Sequence, residues 1–426
     1  MCSPIVQVNL HSSGCSCPDS VVGAVLGGGS WESTRSVDNP DSKENFRSRR
    51  RLRQNLRRHA QKLRPNTREC ACGRLPGKNG ASVVLNEKKG QARYAGVVHC
   101  GNVWACPVCA ASISERRRQN VRSVLEWGNK EGFSFLFPTF TASHTRDDSL
   151  SDLLDSFYAA LHSFKQSRLF RAFKLASGYV DSISGKDVTW GALNGWHPHQ
   201  HEFWMCNLSK FSGFDVQHWG NVLEVQWIKE LEKKGLKGGV GIAFKMKLLD
   251  LSSSKGIDEY LGKVGTAADL SSELVGASTK QGYKDYKTQH FTSVELLAKA
   301  SAGDVRSGYL WREYVEAYSG RRQLVFGRVI MRCYKDLFGT VPGSDFEVIQ
   351  QESAVKPDEK VVIKIEPGRL EAIWFYHREI EVLELVEVGR IDEASALIER
   401  SYDDLCDKKY LDSVNCLRSQ GFFSVV

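Results

Sequence analysis

Three histidines at alternate positions are the first feature of this sequence that could do chemistry. His197, His199 and His201 lie in "NGWHPHQHEFWM", which has the composition of a short aromatic strand. Side chains two apart in a strand point to the same face, so His199 and His201 are predicted to stand side by side. Two imidazoles leave a divalent ion several open coordination positions, which suits an ion that grips a phosphate oxygen. The pattern predicts a catalytic metal site.

A third ligand for this metal is expected from a neighbouring strand. Asp187 in "DVTWG" is a hard oxygen donor of the kind that suits Mg²⁺ or Mn²⁺. His197 is an additional candidate ligand. A zinc hydrolase would take further ligands from strand ends, and four other histidines show no such grouping along the chain: His144, His162, His218 and His290.

A cluster of cysteines indicates a second, different metal site. Five of the twelve cysteines lie within 40 residues, two of them as C-x-x-C in "CGNVWACPVC". No signal peptide is evident, and in a reducing compartment such spacing is typical of zinc binding. A full set of four thiolates leaves no open position for a substrate, so this Zn²⁺ is predicted to be structural. The predicted ligands are Cys72, Cys100, Cys106 and Cys109, with Cys70 and His99 as alternatives.

A tyrosine and a lysine in "IDEYLGKVG" follow the histidine strand by about sixty residues. Tyr260 and Lys263 are three apart and therefore share one face of a predicted helix. A tyrosine is a poor nucleophile until its pKa is lowered or its proton is taken, and a nearby ammonium favours the phenolate. The spacing is a weak signal alone and gains its value from the order of the motifs.

Taken together, "FPTFTASH", "DVTWG…NGWHPHQH" and "EYLGK" resemble the three motifs of plasmid-type rolling-circle replication initiators of the HUH endonuclease superfamily. The likeness extends from about Cys72 to Arg328 and includes the cysteine module. It implies an HUH-type antiparallel sheet with flanking helices and a metal-dependent nick at single-stranded origin DNA. It also implies a 5′-phosphotyrosine intermediate, a host helicase and DNA polymerase as partners, and a location in a prokaryotic cytoplasm.

The resemblance assigns roles residue by residue. His199 and His201 match the paired metal ligands of the family, Tyr260 matches the nucleophile, and Lys263 matches the lysine of its motif. Asp187 stands where these proteins generally have a glutamate. Thr139 and Thr141 lie in the first motif, which builds the floor of the site.

Two positions depart from the family pattern, and two other functions compete with this one. Gln200 replaces a large apolar residue between the metal histidines, and Gly256 replaces the carboxylate that hydrolytic relatives carry before the tyrosine. An HUH transposase usually presents two tyrosines on the nucleophile helix, whereas Tyr283 and Tyr286 lie some twenty residues beyond Tyr260. A non-enzymatic zinc-module DNA-binding protein would tolerate Tyr260→Phe.

The elements that must position these residues indicate an α+β protein of several parts. We predict a disordered basic tail over 1–66, a cysteine-rich zinc module ending in a helix over 67–130, and an HUH core over 131–270. A helical extension over 271–340 and a linker with a helical C-terminal segment over 341–426 follow. The apolar fraction of 41% is that of a folded protein, and no apolar run reaches membrane-spanning length.

The net charge of +8 is concentrated near the N-terminus. Eleven lysines or arginines face one acid between Lys43 and Arg68, a balance that fits salt-dependent binding of nucleic acid phosphates. No feature predicts an oligomeric state. The candidate DNA contacts are three arginines of this run, two on the helix after the cysteines, and one tryptophan that could stack on a base: Arg49, Arg50, Arg51, Arg116, Arg117 and Trp196.

Overall fold

The computed structural model describes residues 43–143, 145–146, 148–211, 213–251 and 290–419. The strands are β1 (Ala81–Asn86), β2 (Gln91–Ala95), β3 (Ser134–Thr141), β4 (Tyr179–Gly191), β5 (Gly195–Cys206), β6 (Phe244–Leu248), β7 (His290–Phe291), β8 (Leu324–Phe326) and β9 (Lys360–Ile365). The first five helices are α1 (Lys43–Leu63), α2 (Pro107–Lys130), α3 (Leu150–Gln166), α4 (Arg168–Ser177) and α5 (Val216–Glu232). The later helices are α6 (Ser293–Ser301), α7 (Val305–Ala317), α8 (Arg328–Phe338), α9 (Asp345–Ser353), α10 (Arg369–Phe375), α11 (Glu379–Glu387) and α12 (Ile391–Ser419).

A six-stranded antiparallel sheet carries the histidine strand at its centre. Its order is β6-β3-β5-β4-β7, with β8 also paired to β4. The predicted α+β fold with an antiparallel sheet and flanking helices is confirmed, and its assignment to the HUH type stays a prediction. Two strands of this sheet, β7 and β8, come from the part of the chain predicted as a helical extension, so the sheet continues beyond residue 270.

Helices cover both faces of this sheet. On one face α2 buries Val121 and Leu125 against Phe203 and Met205 of β5. On the other face α3, α4 and α5 pack around Trp204, the next residue of the same strand. The strict alternation of β5 therefore sends successive side chains into two separate cores, as the period of two requires.

A smaller sheet joins residues from distant parts of the chain. The β1–β2 hairpin is extended by β9, in the order β2-β1-β9, with all pairs antiparallel. Helices α10, α11 and α12 pack on this sheet through residues such as Ile373, Val382 and Ile398. The helical C-terminal segment is thus present. The predicted linker is wrong over the residues that form α9 and β9, because β9 is hydrogen-bonded to β1.

The basic run is also folded over most of its length. Disorder was predicted for residues 1–66, but Lys43–Leu63 form the helix α1. Its guanidinium groups pair with buried glutamates of α11, and Leu56 and Ala60 enter the core beside the cysteines. The basic run was expected to be solvated because of its charge. It packs as a helix because glutamates far away in the sequence neutralise its arginines.

Within the part of the chain that the structure describes, each helix is too short or too polar to cross a membrane.

Candidate active site and structural metal centre

The four predicted cysteine ligands come together in space. Cys72, Cys100, Cys106 and Cys109 are all buried, and their sulfur atoms all lie within 4.8 Å of one another. The Sγ–Sγ distances include 3.5 Å for Cys72–Cys109, 3.7 Å for Cys72–Cys106 and 3.7 Å for Cys100–Cys109. Tetrahedral Zn–S bonds of about 2.3 Å place two sulfurs roughly 3.8 Å apart. The group therefore has the size of a four-thiolate zinc site.

Local chain geometry explains how these cysteines converge. Cys72 ends the short 3-10 turn Arg68–Ala71, Cys106 is the N-cap of α2, and Cys109 lies in the first turn of that helix. The sulfur of Cys70, an alternative ligand, points to the carbonyl oxygen of Arg64 at 3.4 Å. His99, the other alternative, is not one of the four but borders them, with Nδ1 3.9 Å from the sulfurs of both Cys72 and Cys109.

Thiols within this group shift one another's pKa values in opposite directions. Hydrogen bonds from Cys100, Cys106 and Cys109 hold the pKa of Cys72 far below its ordinary value. The pKa of Cys100 is raised, first by its hydrogen bond with Cys106, and that of Cys109 is raised first by its hydrogen bond with Cys100. One thiolate thus suppresses ionisation of the others, and a bound metal ion would allow all four to ionise.

The histidine strand has the register that a metal site on one face requires. His199 of β5 pairs directly with Asp187 of β4 on one side and with Thr141 of β3 on the other. His201 pairs with Gly185 and Thr139 in the same way. Direct partners in an antiparallel sheet project to the same face with Cβ atoms about 5 Å apart. Asp187 therefore lies beside His199 in the sheet, and its role as a metal ligand stays a prediction.

Neighbouring side chains orient these imidazoles. Thr139 Oγ1 lies 3.0 Å from Nδ1 of His201, whose ring stacks on Phe137 at 5.6 Å between centroids. A hydrogen bond at one ring nitrogen is what commonly fixes a metal-ligating histidine. The rings of His199 and His201 are nearly parallel, at 12°, with centroids 5.9 Å apart. Two imidazoles and a carboxylate suit Mg²⁺ or Mn²⁺ by type of donor. Among the residues that the structure describes, however, only the four cysteines bring three or more candidate ligand atoms within 4.8 Å of one another, so the catalytic metal site stays a prediction.

A fourth histidine at this face was missed by the sequence reasoning. His290 of β7 pairs with Gly191, and its ring lies 5.8 Å from that of His197. A Cβ at Gly191 would come within 3.1 Å of the His290 ring, so the glycine makes room for it. Both histidines line a cleft of about 300 Å³ together with Thr141 and Asn194. No local signal could have found His290, because it reaches the sheet from 93 residues beyond His197 in the chain.

Gln200, which stands where the family has a large apolar residue, points into the buried side of the histidine strand and has a polar partner there. Gln200 is 4% exposed and donates a hydrogen bond to the carboxylate of Glu202, which is fully buried. Lys165 of α3 and the indole of Trp204 donate to the same carboxylate, at 2.7 and 2.6 Å. The polar group that departs from the family pattern is thus satisfied within a buried network under the histidines.

Most candidate DNA contacts are engaged within the chain. Arg50 and Arg51 pair with Glu387 and Glu384 of α11, at 2.6 and 2.8 Å, and Arg49 is half-buried. Arg117 pairs with Asp345, and Arg116 lies 3.7 Å from Glu352. Trp196 is 3% exposed and packs in the core beside the cysteines, so the expected stacking on DNA is replaced by packing.

Comparison with known proteins places the chain in a family. It is similar to "Protein rep" from Streptomyces lividans, with 31% identity over 309 residues, which cover 58% of this chain and 66% of that protein. The chain belongs to the Rep protein family. This Rep protein therefore spans just under two thirds of that relative. No family model and no solved structure matches it.

A second relative of this Rep protein carries a different name. "Neomycin resistance protein" from Streptomyces cyanogenus is 31% identical over 137 residues, which cover 26% of this chain and 31% of that protein.

The predicted nucleophile motif of this Rep protein lies outside the described residues. Tyr260, Lys263 and Gly256 all fall in the segment 252–289, as do Tyr283 and Tyr286. Their assignment rests on the sequence resemblance.

Proposed function

We propose that this Rep protein initiates plasmid rolling-circle replication by nicking and rejoining single-stranded origin DNA through a 5′-phosphotyrosine intermediate. The observation that carries the proposal is the pairing of His199 with Asp187 on neighbouring central strands, with His201 on the same face. The identity with a Rep protein over 309 residues gives independent support.

The residues of the sheet hold and orient the substrate phosphate. His199, His201 and Asp187 would bind a Mg²⁺ or Mn²⁺ ion, which when bound polarises a non-bridging phosphate oxygen and offsets transition-state charge. Thr139 Oγ1 lies 3.0 Å from Nδ1 of His201. With Nδ1–H as the donor, this hydrogen bond would fix the ring and leave Nε2 as the nitrogen that binds the ion.

The covalent step belongs to Tyr260. Its phenolic oxygen forms a bond to phosphorus while the bond from phosphorus to the 3′ oxygen breaks. The 5′ phosphate stays on the tyrosine, and the 3′ oxygen takes up a proton and leaves as a hydroxyl that a host polymerase can extend. Lys263 favours the phenolate by charge. Since the tyrosyl ester remains a phosphodiester, the reverse step rejoins DNA ends without ATP.

The four-cysteine centre has a structural part in this proposal. Zn²⁺ held by Cys72, Cys100, Cys106 and Cys109 would fix the start of α2, the helix that covers the histidine face of the sheet. Host helicase and DNA polymerase are the proposed partners, and the cytoplasm of a prokaryote is the proposed location.

A covalent-capture assay tests the proposed reaction. Purified protein with Mn²⁺ is incubated with tiled single-stranded oligonucleotides from the replicon that encodes it, and adducts stable to boiling in detergent are counted. We expect an adduct on one tile for the wild type and none for Tyr260→Phe or His199→Ala. His218→Ala is the matched control, because His218 is an exposed histidine on α5, away from the strand.

Each other outcome points to another function. An adduct that persists in Tyr260→Phe would move the nucleophile to Tyr283 or Tyr286 and favour a transposase. Tight binding with no adduct on any tile would favour a zinc-module DNA-binding protein without enzymatic activity.

A further inference from the structure

A groove of about 510 Å³ lies between the zinc module, α2 and the start of α9. Its floor is formed by β8 and its wall by the loop before α9. A volume in this range accommodates a nucleotide-sized ligand. The lining residues that matter for recognition are three arginines and three apolar side chains: Arg68, Arg117, Arg322, Leu324, Phe326 and Phe346.

The charge of this groove is positive. Arg117 is neutralised by its ion pair with Asp345, which also lines the groove. Arg68 and Arg322 are both exposed, and neither forms an ion pair with a residue that the structure describes. Two guanidinium groups thus remain to bind anions, and their planar forks suit phosphate oxygens.

An exposed aromatic ring stands beside these arginines. Phe346 lies in the first turn of α9 and is 63% exposed, an unusual position for a phenylalanine. Exposed aromatic rings next to cationic side chains are the basic unit of single-strand recognition, because each base has a face that can stack and each linkage carries a charge.

The floor of the groove belongs to the same face of the sheet as His201. His201 pairs with Gly185, and Gly185 pairs in turn with Leu324 on the floor of the groove. Direct partners project to the same face, so Leu324 lies on the face that carries His201. Two strand spacings separate them, roughly 10 Å, which is a distance that one extended strand of nucleic acid can span.

We propose that this groove binds the single-stranded DNA that flanks the nicked phosphate, with one base stacked on Phe346 and phosphates held by Arg68 and Arg322. The inference rests on the proposed function for the identity of the ligand as single-stranded DNA. It adds an anchor that holds the strand beside the histidine site while the chemistry occurs.

Fluorescence anisotropy with a labelled 20-nucleotide oligothymidine and the full-length protein tests this groove. Loss of a base stack costs about 5- to 150-fold in affinity, and we expect a decrease in that range for Phe346→Ala. For Arg322→Ala and Arg68→Ala we expect the slope of log affinity against log salt to fall by about 0.7 each, the value for one phosphate contact on a single strand.

Two matched variants control for general effects. Phe375→Ala removes another exposed phenylalanine, 42% exposed on α10, and Arg400→Ala removes one exposed charge from α12. We expect both to bind the oligonucleotide as the wild type does. If the groove variants also bind as these controls do, the groove is not a DNA site, and its exposed aromatic surface would point to a protein partner.

Photocross-linking locates the stacked base. Oligonucleotides with a single 5-iodouracil at successive positions are irradiated with the wild type, and cross-linked peptides are identified by mass spectrometry. We expect one position to cross-link to the peptide that contains Phe346. Cross-links confined to other peptides would contradict the proposal.

The two proposals fail in different ways. If groove-dependent binding is measured but no tile gives a tyrosyl adduct, nicking is wrong and the groove stands. If the adduct forms and the groove variants bind and react normally, the groove is wrong and nicking stands.

Discussion

At the scale of single residues, the four cysteine sulfurs are so close together that they would repel one another if all were ionised. They lie 3.5–3.7 Å from one another in three measured pairs and are all buried. Buried thiolates at this separation repel unless a cation lies among them. Binding of a metal here would therefore be coupled to folding of the module, because the thiols must either stay protonated or be neutralised by a cation.

We predict one zinc per chain, lost on substitution of a single ligand. Cys109→Ser should reduce the zinc content to below one tenth of an equivalent and lower the melting temperature, since three thiolates no longer complete a tetrahedral set. Inductively coupled plasma mass spectrometry of the purified variants measures the zinc content per chain. Cys70→Ala is the control, because Cys70 lies in the same module outside the group. Equal zinc in both variants would contradict the assignment.

The sequence could predict which residues come together where a local rule governs their positions. The period of two fixed the common face of His199 and His201, and the spacing of cysteines predicted the four ligands. It could not predict His290, whose place depends on the pairing of β7 with β4. Nor could it predict that Gln200 is satisfied, because the lysine that completes its network comes from α3.

At the scale of elements, ion pairs between α1 and α11 hold the basic run in a packed helix. Glu387 has a side chain that is 1% exposed, and it accepts hydrogen bonds from Arg47, Arg50 and the amide of Ala92. Burial alone would raise the pKa of this carboxyl. The hydrogen bonds outweigh burial and hold the pKa below its ordinary value.

This pairing predicts a pH-dependent stability. The folded state prefers ionised Glu387, so its contribution is complete above the ordinary glutamate pKa of about 4.3 and is lost as the pH falls through the lower folded value. At pH 7, Glu387→Gln should lower the free energy of unfolding by about 3 kcal/mol. The difference from the wild type should shrink below pH 4. Urea unfolding at both pH values measures it.

A surface pair is the control for this prediction. Glu393 also pairs with an arginine, Arg390, but both side chains are more than half exposed. Glu393→Gln should leave the unfolding transition unchanged, because exposed ion pairs are screened by water and salt. Equal effects of the two substitutions would contradict a buried role for Glu387.

The sequence predicted elements where their period is local and failed where partners are distant. The helical C-terminal segment and the histidine strand both follow from patterns within about 30 residues. Helix α1 does not, since its arginines face glutamates more than 300 positions away, such as Glu379 for Arg58. The strand β9 was read as linker for the same reason, because its partner β1 lies in the first quarter of the chain.

At the scale of the whole molecule, both ends of the described chain meet at one small sheet. Strands β1 and β9 pair, and α1 packs by ion pairs against α11, which itself packs on that sheet. The rings of Trp104 and Tyr318 stack at 4.3 Å and connect the zinc module to the residues after α7. The N-terminal third of the described chain is therefore held by its C-terminal third.

Limited proteolysis of the full chain should reveal this arrangement. We predict that trypsin spares the bonds after Arg50, Arg57 and Arg58, because these residues are packed in α1. Cleavage should come first in exposed turns such as Lys233–Lys234, next to the end of α5. Mass spectrometry of early fragments measures the order. If trypsin cleaves α1 as rapidly as it cleaves that turn, the basic run is a solvated arm, as its charge alone predicts, and α1 is not packed.

The pairing of β1 with β9 has a consequence for synthesis of the protein. After Asn86 the ribosome adds 274 residues to reach Lys360, which takes roughly 14–55 s at 5–20 residues per second. During that interval the emerged β1–β2 hairpin presents an open edge, and open edges recruit foreign strands. A messenger RNA truncated before the codons of β9 would give a chain that lacks this strand, so the small sheet could not be completed. Such products are expected to aggregate or to be degraded, because the open edge of β1 has no partner.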